Sequence, residues 1–534
     1  MKINYIVELE TPALTTSLGI IGKDIDVVVK VDKNEKPFFN GKHIKGILRE
    51  RVAQFKLGLG IEKKEVENFI EKYFGKEGNY IKENSFNKLR FSNLVLADDK
   101  DCIIDDRYGI RVNRKTRTTE HNSLFRYEYI MSGTRFKGEI ELSDNIPKED
   151  LKFILASLFH LDTIGGFKSR GIGKVKIFIE ERELKCENTL DEIINSILKK
   201  NKKEAKINIK EKLQKYTYEL SLQEPVILTG KEIGNYVEVR DSIQGSSIRG
   251  AMIEYFIKRG LSLETLLKIE ASEATLGSTQ LASAFITKYK IGENKKEIDK
   301  IIDSRIEIED PETKKGVKLE RKGTTLLKAK GNEISIAIDS KTKSVKEGML
   351  FNSEYLECSE KLYGDILLPE GLVEKNKKYT IYLGKMKSKG FGKAIIEFKN
   401  YQSKKSNLKE RIERLQNQTK ENILTFDLQS DLILPFNDIY DVGEQFKILI
   451  GLSDIEFRKN KSYVNTGKLS GYNIINNIRK IDELIITRGS VLTYEIKDID
   501  KILPKLEEIE FYGLGLRKNE GFGRIKISSE RGEK

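Results

Sequence analysis

The sequence holds little of what a metal cluster, a disulfide framework or a membrane anchor requires. Its 534 residues include only three cysteines and three histidines. The cysteines stand alone in the chain, which excludes a zinc knuckle and a disulfide framework. The longest apolar runs, such as residues 153–159, are far too short to span a bilayer. The first ten residues alternate as a strand does and do not resemble a signal peptide. We therefore expect a cytoplasmic protein with no membrane partner.

Positive charge is in moderate excess and points to a polyanionic partner. Lys and Arg number 96 against 83 Asp and Glu, the net charge is +13, and the sequence pI is about 9.1. Such a balance favours binding to nucleic acid and says nothing about the fold. A lysine-rich, AT-biased proteome would explain the same composition equally well. The length predicts two to four domains, each with its own core.

One segment of the chain occurs twice. Residues 111–130 correspond without a gap to residues 337–356, about 226 positions later. The identical residues are Lys115, Thr116, Leu124, Phe125, Glu128 and Tyr129, which recur as Lys341, Thr342, Leu350, Phe351, Glu354 and Tyr355. Two long copies are too few for a solenoid, so we expect a duplicated domain.

Glycine-containing motifs bracket each copy of this segment. Residues 41–49 correspond to residues 245–253, and residues 168–174 correspond to residues 387–393. A third motif of this kind lies at residues 513–524. Apolar residues at helical spacing follow the first motif, so a helix is predicted to begin there. A glycine loop that leads into a helix lets backbone N–H groups approach a phosphate. The alternative is that the glycines serve only a tight turn.

The predicted RNA contacts combine these loops with the basic repeated segment. The expected RNA-binding residues are Lys42, His43, Lys45, Arg49, Arg114, Lys115, Arg117, Lys168, Ser169, Arg170, Ser246, Ser247, Arg249, Lys387, Lys389, Arg517, Lys518 and Arg524. The glycines expected to allow close backbone approach are Gly41, Gly46, Gly171, Gly173, Gly245, Gly250, Gly390, Gly392, Gly513, Gly515, Gly521 and Gly523. We expect these positions to bind single-stranded RNA with strong salt dependence.

The order of predicted elements indicates the fold class. In the first copy a strand, a helix, two strands, a helix, a glycine loop and a strand follow one another. This is the βαββαβ order of a ferredoxin-like, RRM-type domain. We expect an α+β protein of tandem ferredoxin-like domains. The predicted boundaries are 1–181 for the first domain, 182–215 for a lysine-rich connection, 216–399 for the second domain, 400–420 for a linker and 421–534 for a terminal RRM-like domain.

These motifs resemble the RAMP superfamily of CRISPR-associated RNA-binding proteins. The paired Gly-x-x-Ile-[Lys/Arg]-Gly and Lys-Ser-[Arg/Lys]-Gly-x-Gly loops carry the resemblance. Residues 1–180 look like a backbone subunit of type III effector complexes. Residues 245–250, 489–494 and 520–524 look like the RAMP subunit of subtype III-D systems. The resemblance covers both copies and the terminus, and only the lysine-rich insertions fall outside it.

The resemblance implies a guide-RNA-binding subunit of an antiviral effector complex. Backbone subunits of this family hold guide RNA on the sheet and basic loops, and they splay it with a β-hairpin thumb that the repeated segments are placed to supply. The implied partners are guide RNA, complementary single-stranded target RNA and other effector subunits, including a large polymerase- or cyclase-type subunit. The terminal subunit grips the repeat-derived 5′ end of the guide, and residues 513–524 are the candidate for that grip. A plain strand–turn–strand is the alternative.

The resemblance also implies a catalytic acid. Family members cut target RNA with an aspartate before the first glycine motif, and the matching position here is Asp26. Its carboxylate could bind Mg²⁺ or Mn²⁺ to activate water or the ribose 2′-hydroxyl. Asp24 and Asp32 are rival candidates, and an acid that caps a turn is the commoner role. Spacing from Gly245 places Gly230 at the matching position of the second copy, so any endoribonuclease activity is expected in the first domain only.

Two other functions are compatible with the motifs. A stand-alone endoribonuclease that processes repeat RNA would share the C-terminal glycine loop. Such enzymes usually have a single pair of RRM-like domains, however, and often a catalytic histidine. A generic binder of single-stranded RNA would not require paired loops. Two full copies plus a terminal domain favour a role in a multi-subunit assembly. His43 departs from the serine that the family usually has at that loop position.

Overall fold

The chain folds into an α+β protein with three successive hydrophobic cores, which confirms the α+β part of the predicted fold class. The computed structural model describes the chain except for residues 19–24, 33, 76–88, 99–101, 122, 143–145, 180–211, 241, 277–285, 292–293, 300, 302–306, 310–315, 319, 322–329, 339–344, 401–407, 436–440, 474–477 and 529–534. Most of the predicted connection at 182–215 lies outside the described residues. Within those residues, every helix is too short or too polar to cross a bilayer.

The first domain extends from β1 to β9. Its strands are β1 (Lys2–Leu9), β2 (Thr16–Leu18), β3 (Val27–Val29), β4 (Arg90–Phe91), β5 (Val95–Leu96), β6 (Ile104–Gly109), β7 (Phe125–Ile130), β8 (Arg135–Glu141) and β9 (Val175–Ile179). Its helices are α1 (Gly41–Gly58), α2 (Lys63–Phe74) and α3 (Lys148–Phe159). Helix α1 begins at the glycine where the sequence predicted a helix start.

Strand β1 is the centre of the first sheet. It pairs antiparallel with β8 on one side and β9 on the other, and β4 and β5 extend the sheet beyond β8. Side chains alternate along β1, so Ile3, Tyr5, Val7 and Leu9 are buried. Apolar residues of α1, α2 and α3 pack onto them in one core. The strand order is β4-β8-β1-β9.

A second sheet of the first domain carries the repeated segment. Its strand order is β2-β3-β7-β6. Strands β6 and β7 pair antiparallel from Ile104 with Ile130 to Gly109 with Phe125, and residues 110–124 form the tip between them. The repeated segment therefore forms a hairpin, as the family resemblance implied.

The second domain extends from β10 to β24. Its strands are β10 (Leu213–Leu222), β11 (Thr229–Ile233), β12 (Tyr236–Val239), β13 (Glu270–Ala271), β14 (Thr275–Leu276), β15 (Ile286–Ile291), β16 (Asn294–Asp299), β17 (Glu307–Glu309), β18 (Gly316–Lys318), β19 (Glu320–Arg321), β20 (Lys330–Ile338), β21 (Val345–Leu356), β22 (Leu362–Pro369), β23 (Lys378–Tyr382) and β24 (Lys393–Asn400). Its helices are α4 (Gly245–Ile257) and α5 (Leu263–Leu267).

The second domain repeats most of the first but replaces one element. Its main sheet has the order β13-β22-β10-β24-β23, and β20 and β21 form the second copy of the hairpin. Helix α3 separates β8 from β9, whereas the fully described segment between β22 and β24 contains strand β23 and no helix. The expectation of two full copies is therefore wrong for this element.

The terminal domain extends from α6 to β31. Its helices are α6 (Leu408–Thr419), α7 (Val442–Ile450) and α8 (Ile499–Tyr512). Its strands are β25 (Ile423–Leu428), β26 (Leu432–Ile433), β27 (Ile455–Phe457), β28 (Thr466–Asn473), β29 (Ile478–Ile486), β30 (Val491–Ile496) and β31 (Ile525–Ile527).

The terminal domain has the same connectivity as the first. Its main sheet runs β27-β30-β25-β31, with α7 after the first strand and α8 before the last. The strand order therefore matches β4-β8-β1-β9. Leu408 and Ile412 of α6 lie in the core of this domain. The predicted linker at 400–420 thus ends earlier, because its apolar residues are needed to cover the terminal sheet.

Candidate nucleic-acid interface

Three glycine loops share one backbone geometry. Loop 1 is residues 164–173, loop 2 is residues 383–392 and loop 3 is residues 514–523, and they correspond without gaps. In each loop the N–H of the first residue donates to the carbonyl of the last glycine at 2.8 Å. The fourth residue of each loop has a positive φ, between 53° and 56°. Each loop leads into the last strand of its own domain, so the three are copies of one structural unit.

Loop 2 fills the start of helix α1. The N–H of Lys42 donates to the carbonyl of Lys389 at 3.0 Å. A Cβ atom on Gly41 would lie 2.5 Å from the carbonyl oxygen of Phe91 and 3.0 Å from the nitrogen of Gly390. Real Cβ atoms do not approach backbone atoms so closely, so only glycine fits. The absence of a side chain at Gly41 therefore lets loop 2 of the second domain pack against the start of α1.

Loop 3 fills the start of helix α4 in the same way. A Cβ atom on Gly245 would lie 2.9 Å from the carbonyl oxygen of Glu520, and one on Gly521 would lie 2.8 Å from that of Ala271. Ala271 lies in β13, the counterpart of β4. Both glycine helix starts are therefore occupied by the loop of the following domain. Phosphate binding at these starts, which the sequence predicted, would compete with this packing.

Two predicted RNA-binding lysines of α1 lie in the contact with the second domain. Lys45 is 5% exposed, and its Nζ donates to Ser388 Oγ at 2.9 Å. Lys42 forms an ion pair with Glu333 of β20, which also pairs with Lys30 at 2.5 Å. Burial raises the pKa of Glu333, but the two lysines outweigh it and hold that pKa below its usual value. Both α1 lysines therefore stabilise the domain contact.

A buried acid of α4 forms ion pairs with basic side chains of β4 and loop 2. Glu254 of α4 pairs with Arg90 of the first domain and with Lys387 at 2.8 Å. Burial raises the pKa of Glu254, but Arg90, Lys387 and Lys258 outweigh it and lower that pKa to about 2. Removing one partner of a buried ion pair costs about 3–5 kcal/mol. Lys387, also predicted to bind RNA, is thus tied to this pair.

The cations of loop 3 are also paired or half-buried. Arg517 pairs with Glu520 within the loop at 2.6 Å. Arg524 lies 3.8 Å from Glu270 of the second domain. Lys518 is half-buried. The predicted grip on the guide 5′ end by residues 513–524 stays a prediction, and it would act beside these contacts.

His43 has a fixed role inside the first domain. Its Nε2 accepts the N–H of Gly165, the second residue of loop 1, at 2.8 Å. Burial lowers the pKa of His43 to about 4, and Lys168 and Lys42 contribute to the same effect. The imidazole is therefore neutral at physiological pH, and it holds loop 1 against the start of α1.

The other predicted contacts near the helix starts have local surroundings. Arg249 donates to two main-chain carbonyls at the end of helix α5, at 2.7 and 2.8 Å. Burial lowers the pKa of its guanidinium. Ser246, Ser247 and Arg49 are half-buried. The structure does not gather these side chains into one exposed basic patch.

The tip of hairpin β6–β7 presents exposed cations. Arg114, Lys115 and Arg117 are all exposed, and the side chain of Arg111 is 77% exposed. Asn113 shapes the tip, because its Oδ1 accepts the N–H of Lys115 at 2.9 Å. Unlike the cations of loops 2 and 3, these side chains face solvent. We name residues 110–124 the hairpin tip.

Exposed apolar side chains accompany these cations, and sequence reasoning missed them. Tyr108, Ile110 and Leu124 are 60%, 54% and 65% exposed. Leu124 belongs to the repeated segment, and its counterpart Leu350 is 56% exposed on the second hairpin. A leucine exposed at the same place in both copies is not there for the core. The repeat itself held this signal, since Leu124 is among its identical residues.

Loop 1 lies against the base of this hairpin. The guanidinium of Arg170 lies 4.4 Å from the ring centre of Phe167 and 6.0 Å from that of Phe125. Lys168 and Arg170 are exposed, while the side chain of Ser169 is outside the part of the chain that the structure describes. Loop 1 therefore presents its cations on the surface.

Asp26 lies at the start of β3, beside β7. Its N–H donates to the carbonyl of Arg126 at 2.9 Å, and its Oδ2 accepts the N–H of Arg126 at 2.8 Å. Asp26 is exposed. Asp32 accepts two main-chain N–H groups of the following turn, at 2.8 and 3.0 Å, as a turn-capping acid does. Asp24, the other rival, lies outside the described residues.

The surroundings of Asp26 determine how a divalent metal ion could be held there. Among the residues that the structure describes, no three His, Cys, Asp or Glu side chains come together to hold a metal ion. A hard carboxylate suits Mg²⁺ or Mn²⁺. Exposed Asp26 thus fits a cation whose remaining ligands are RNA phosphate oxygens and water, and not a preformed protein site.

Strand register corrects the predicted counterpart of Asp26. Strands β3 and β12 pair in parallel with β7 and β21 at equivalent positions of the repeat. Glu128 and its repeat Glu354 each accept the N–H of a valine on the neighbouring strand, at 2.9 and 3.0 Å. By this register the counterpart of Asp26 is Tyr236, not Gly230. The connection to the glycine helix is shorter in the second domain, so spacing misled. A carboxylate is absent there in either case.

Comparisons with known proteins find a family match for the N-terminal third of the chain. Residues 6–176 match the family model of the RAMP superfamily. A search of curated proteins finds no match. Among solved structures, a chain of type III-B Cmr-beta in the apo state is 11% identical, covering 34% of this chain and 98% of its own, with a TM-score of 0.27. A chain of Cmr-beta bound to cognate target RNA is 16% identical, covering 56% and 96%, with a TM-score of 0.32.

Proposed function

We propose that this chain, whose residues 6–176 match the family model of the RAMP superfamily, is a guide-RNA-binding subunit of a type III CRISPR effector complex. It holds the guide while complementary single-stranded target RNA pairs with it. Its other partners are the remaining effector subunits, a large polymerase- or cyclase-type subunit among them. The complex acts in antiviral defence in the cytoplasm.

The proposed architecture is a tandem of ferredoxin-like domains. The strand orders β4-β8-β1-β9 and β27-β30-β25-β31, with a helix after the first strand and before the last, support this assignment for the first and terminal domains. The second domain keeps the sheet but lacks the second helix. Loops 2 and 3 join the three domains in series, which suits a subunit that follows an extended RNA.

The observation that carries the proposal is the hairpin tip of the RAMP domain. Its exposed Arg114, Lys115 and Arg117 can pair with RNA phosphates. Tyr108, beside the tip on β6, can stack on a nucleobase. Cations alternating with aromatic and apolar side chains are typical of single-strand binding surfaces. We therefore assign guide contact to the hairpin tip.

Cleavage of the target RNA at Asp26 is part of the proposal. Asp26 would hold Mg²⁺ or Mn²⁺ together with RNA phosphate oxygens, and the metal would supply Lewis acidity at the scissile phosphate. The protein's own contribution is positional, since two hydrogen bonds with the main chain of Arg126, one from the Asp26 N–H and one to its Oδ2, fix Asp26 against the hairpin that binds the guide.

The proposal is tested by removing the charge of the hairpin tip. Arg114→Ala, Lys115→Ala and Arg117→Ala in one variant should weaken binding of single-stranded RNA to the full chain. They should also reduce the slope of log K against log salt by about 0.7 for each phosphate that the variant no longer neutralises. Filter binding over a series of salt concentrations measures both quantities.

The matched control removes three exposed lysines from another turn. Lys375→Ala, Lys377→Ala and Lys378→Ala change the net charge equally, in the turn before β23 and at the first residue of that strand. This variant should keep most of the affinity and of the salt slope. Equal decreases in the two variants would show that binding reflects net charge alone and would overturn the assignment of the hairpin tip.

A further inference from the structure

The three glycine loops differ in what covers them. A Cβ atom on Gly390 of loop 2 would overlap the Asn93 side chain of the first domain, and one on Gly521 of loop 3 would lie 2.8 Å from the Ala271 carbonyl of the second. The equivalent residue of loop 1 is Gly171. A Cβ atom there would have no described atom within 4 Å. The same structural unit is therefore packed twice inside the chain and open once.

The basic residue after the last glycine shows the same difference. In loop 2 that residue is Lys393, whose Nζ lies 3.4 Å from Glu139 of the first domain. After loop 3 it is Arg524, which lies 3.8 Å from Glu270 of the second domain. After loop 1 it is Lys174, whose side chain is 64% exposed and pairs with Glu10 of its own domain at 3.0 Å. Both internal copies reach an acid of the preceding domain.

A second copy of this chain offers no receptor among its described residues. The two helices that begin with glycine, at Gly41 and Gly245, are already filled by loops 2 and 3. Helix α7 of the terminal domain begins at Val442, and the side chain of the preceding Asp441 accepts the N–H of Glu444. The third helix start is thus capped by its own chain, and the series of internal contacts ends there.

We propose that loop 1 docks onto another protein of the complex. The partner is a separate chain with a ferredoxin-like domain whose first helix begins with a glycine that no loop covers. Loop 1 fills that helix start as loop 2 fills the start of α1, and Lys174 meets an acidic side chain on the partner's adjacent strand. The inference rests on the proposed role in a multi-subunit effector, and it assigns loop 1 to protein contact instead of phosphate binding.

The first arm of the test places a side chain at the centre of loop 1. Gly171→Asn suits a positive φ, which asparagine tolerates, and the chain itself has room for it. The control is Gly60→Asn, at the far end of α1, where φ is also positive and no described atom lies within 4 Å. Both variants should keep the unfolding temperature of the parent. Gly171→Asn alone should reduce the protein partner that co-purifies with the tagged chain by roughly tenfold or more.

The second arm identifies what touches loop 1. A photo-cross-linking lysine analogue replaces Lys174 in the full chain within host cells, and the control carries it at Lys63, whose side chain is 77% exposed. Peptide mapping should place the Lys174 cross-link on another protein, beside a helix that begins with glycine. Cross-links to RNA would overturn the proposal and make loop 1 a phosphate clamp. Cross-links to a second copy, or none above the Lys63 control, would also overturn it.

RNA content separates this inference from the proposed function. The RNA bound per chain is measured on the same purified samples. Loss of the protein partner from Gly171→Asn with RNA retained supports docking. A partner cross-linked at Lys174 in a chain that binds no RNA would sustain docking and contradict the RNA-binding role instead.

Discussion

Burial separates the cations that join domains from those available to RNA. Lys45 is 5% exposed and bonded to Ser388, whereas the side chain of Arg111 on the hairpin tip is 77% exposed. A buried ammonium is stable only with a fixed partner, because desolvation of an unpaired charge is costly. At the residue scale, a lysine in a glycine motif is therefore not by itself evidence of a phosphate site.

His43 illustrates the same point for acid–base chemistry. Its Nε2 accepts a hydrogen bond from Gly165, and its pKa of about 4 keeps the ring out of the imidazolium form at neutral pH. A histidine general acid would need that form. The alternative function as a stand-alone processing enzyme therefore gains no support from His43.

The catalytic part of the proposal is tested at Asp26. Asp26→Asn keeps an oxygen that can accept the Arg126 N–H but removes the charge that would bind a metal. In the reconstituted complex it should abolish Mg²⁺- or Mn²⁺-dependent cutting of complementary RNA and leave guide binding unchanged. The products are resolved by denaturing gel electrophoresis.

The control for this test is Asp32→Asn. Asp32 caps a turn, and asparagine keeps the oxygen that accepts both main-chain N–H groups, so this substitution should change stability little and leave cutting intact. Cutting that survives Asp26→Asn, or that disappears with Asp32→Asn alone, would show that Asp26 is the wrong carboxylate.

At the scale of elements, the glycine loop is a reusable connector. Each copy makes the same internal hydrogen bond and leads into the last strand of its own domain, and two copies fill the helix start of the preceding domain. Glycine is needed on both sides, because a Cβ atom on either partner would meet backbone or side-chain atoms. The glycine helix starts and the glycine loops in the sequence thus reflect contacts between successive domains.

Two glycines of helix α1 provide a matched test of this role. Gly41→Ala would put a Cβ atom 2.5 Å from the Phe91 carbonyl oxygen, whereas Gly46→Ala meets nothing within 4 Å. Gly41→Ala should lower the unfolding temperature by several degrees, since overpacking costs about 1–3 kcal/mol. Gly46→Ala should be neutral or should stabilise by up to about 1 kcal/mol.

Calorimetry on the full chain measures both changes. Helix propensity favours alanine over glycine at both positions, so it cannot explain a lower unfolding temperature for Gly41→Ala. An unchanged unfolding temperature for Gly41→Ala would contradict the close packing of this helix start against β4 and loop 2.

At the scale of the whole molecule, the sequence predicted the order of elements along the chain better than the contacts between them. Repeated spacing revealed the duplicated segment, the glycine starts of α1 and α4 and the α+β class, because each leaves a local pattern. The docking of loops 2 and 3 leaves no such local pattern, because a motif does not show which other segment it contacts. Strand β23 in place of a helix and the register that aligns Tyr236 with Asp26 depend on pairing across the sheet. Spacing along the chain cannot encode such pairing.

The most direct test of the central claim is the length and sequence of the RNA that co-purifies with the tagged full-length chain from host cells. A guide-binding subunit should retain RNA of one fixed length, with a constant repeat-derived segment joined to variable sequence. Mixed lengths drawn from abundant cellular transcripts would indicate a generic RNA binder. That result, or the absence of RNA, would contradict the proposed function.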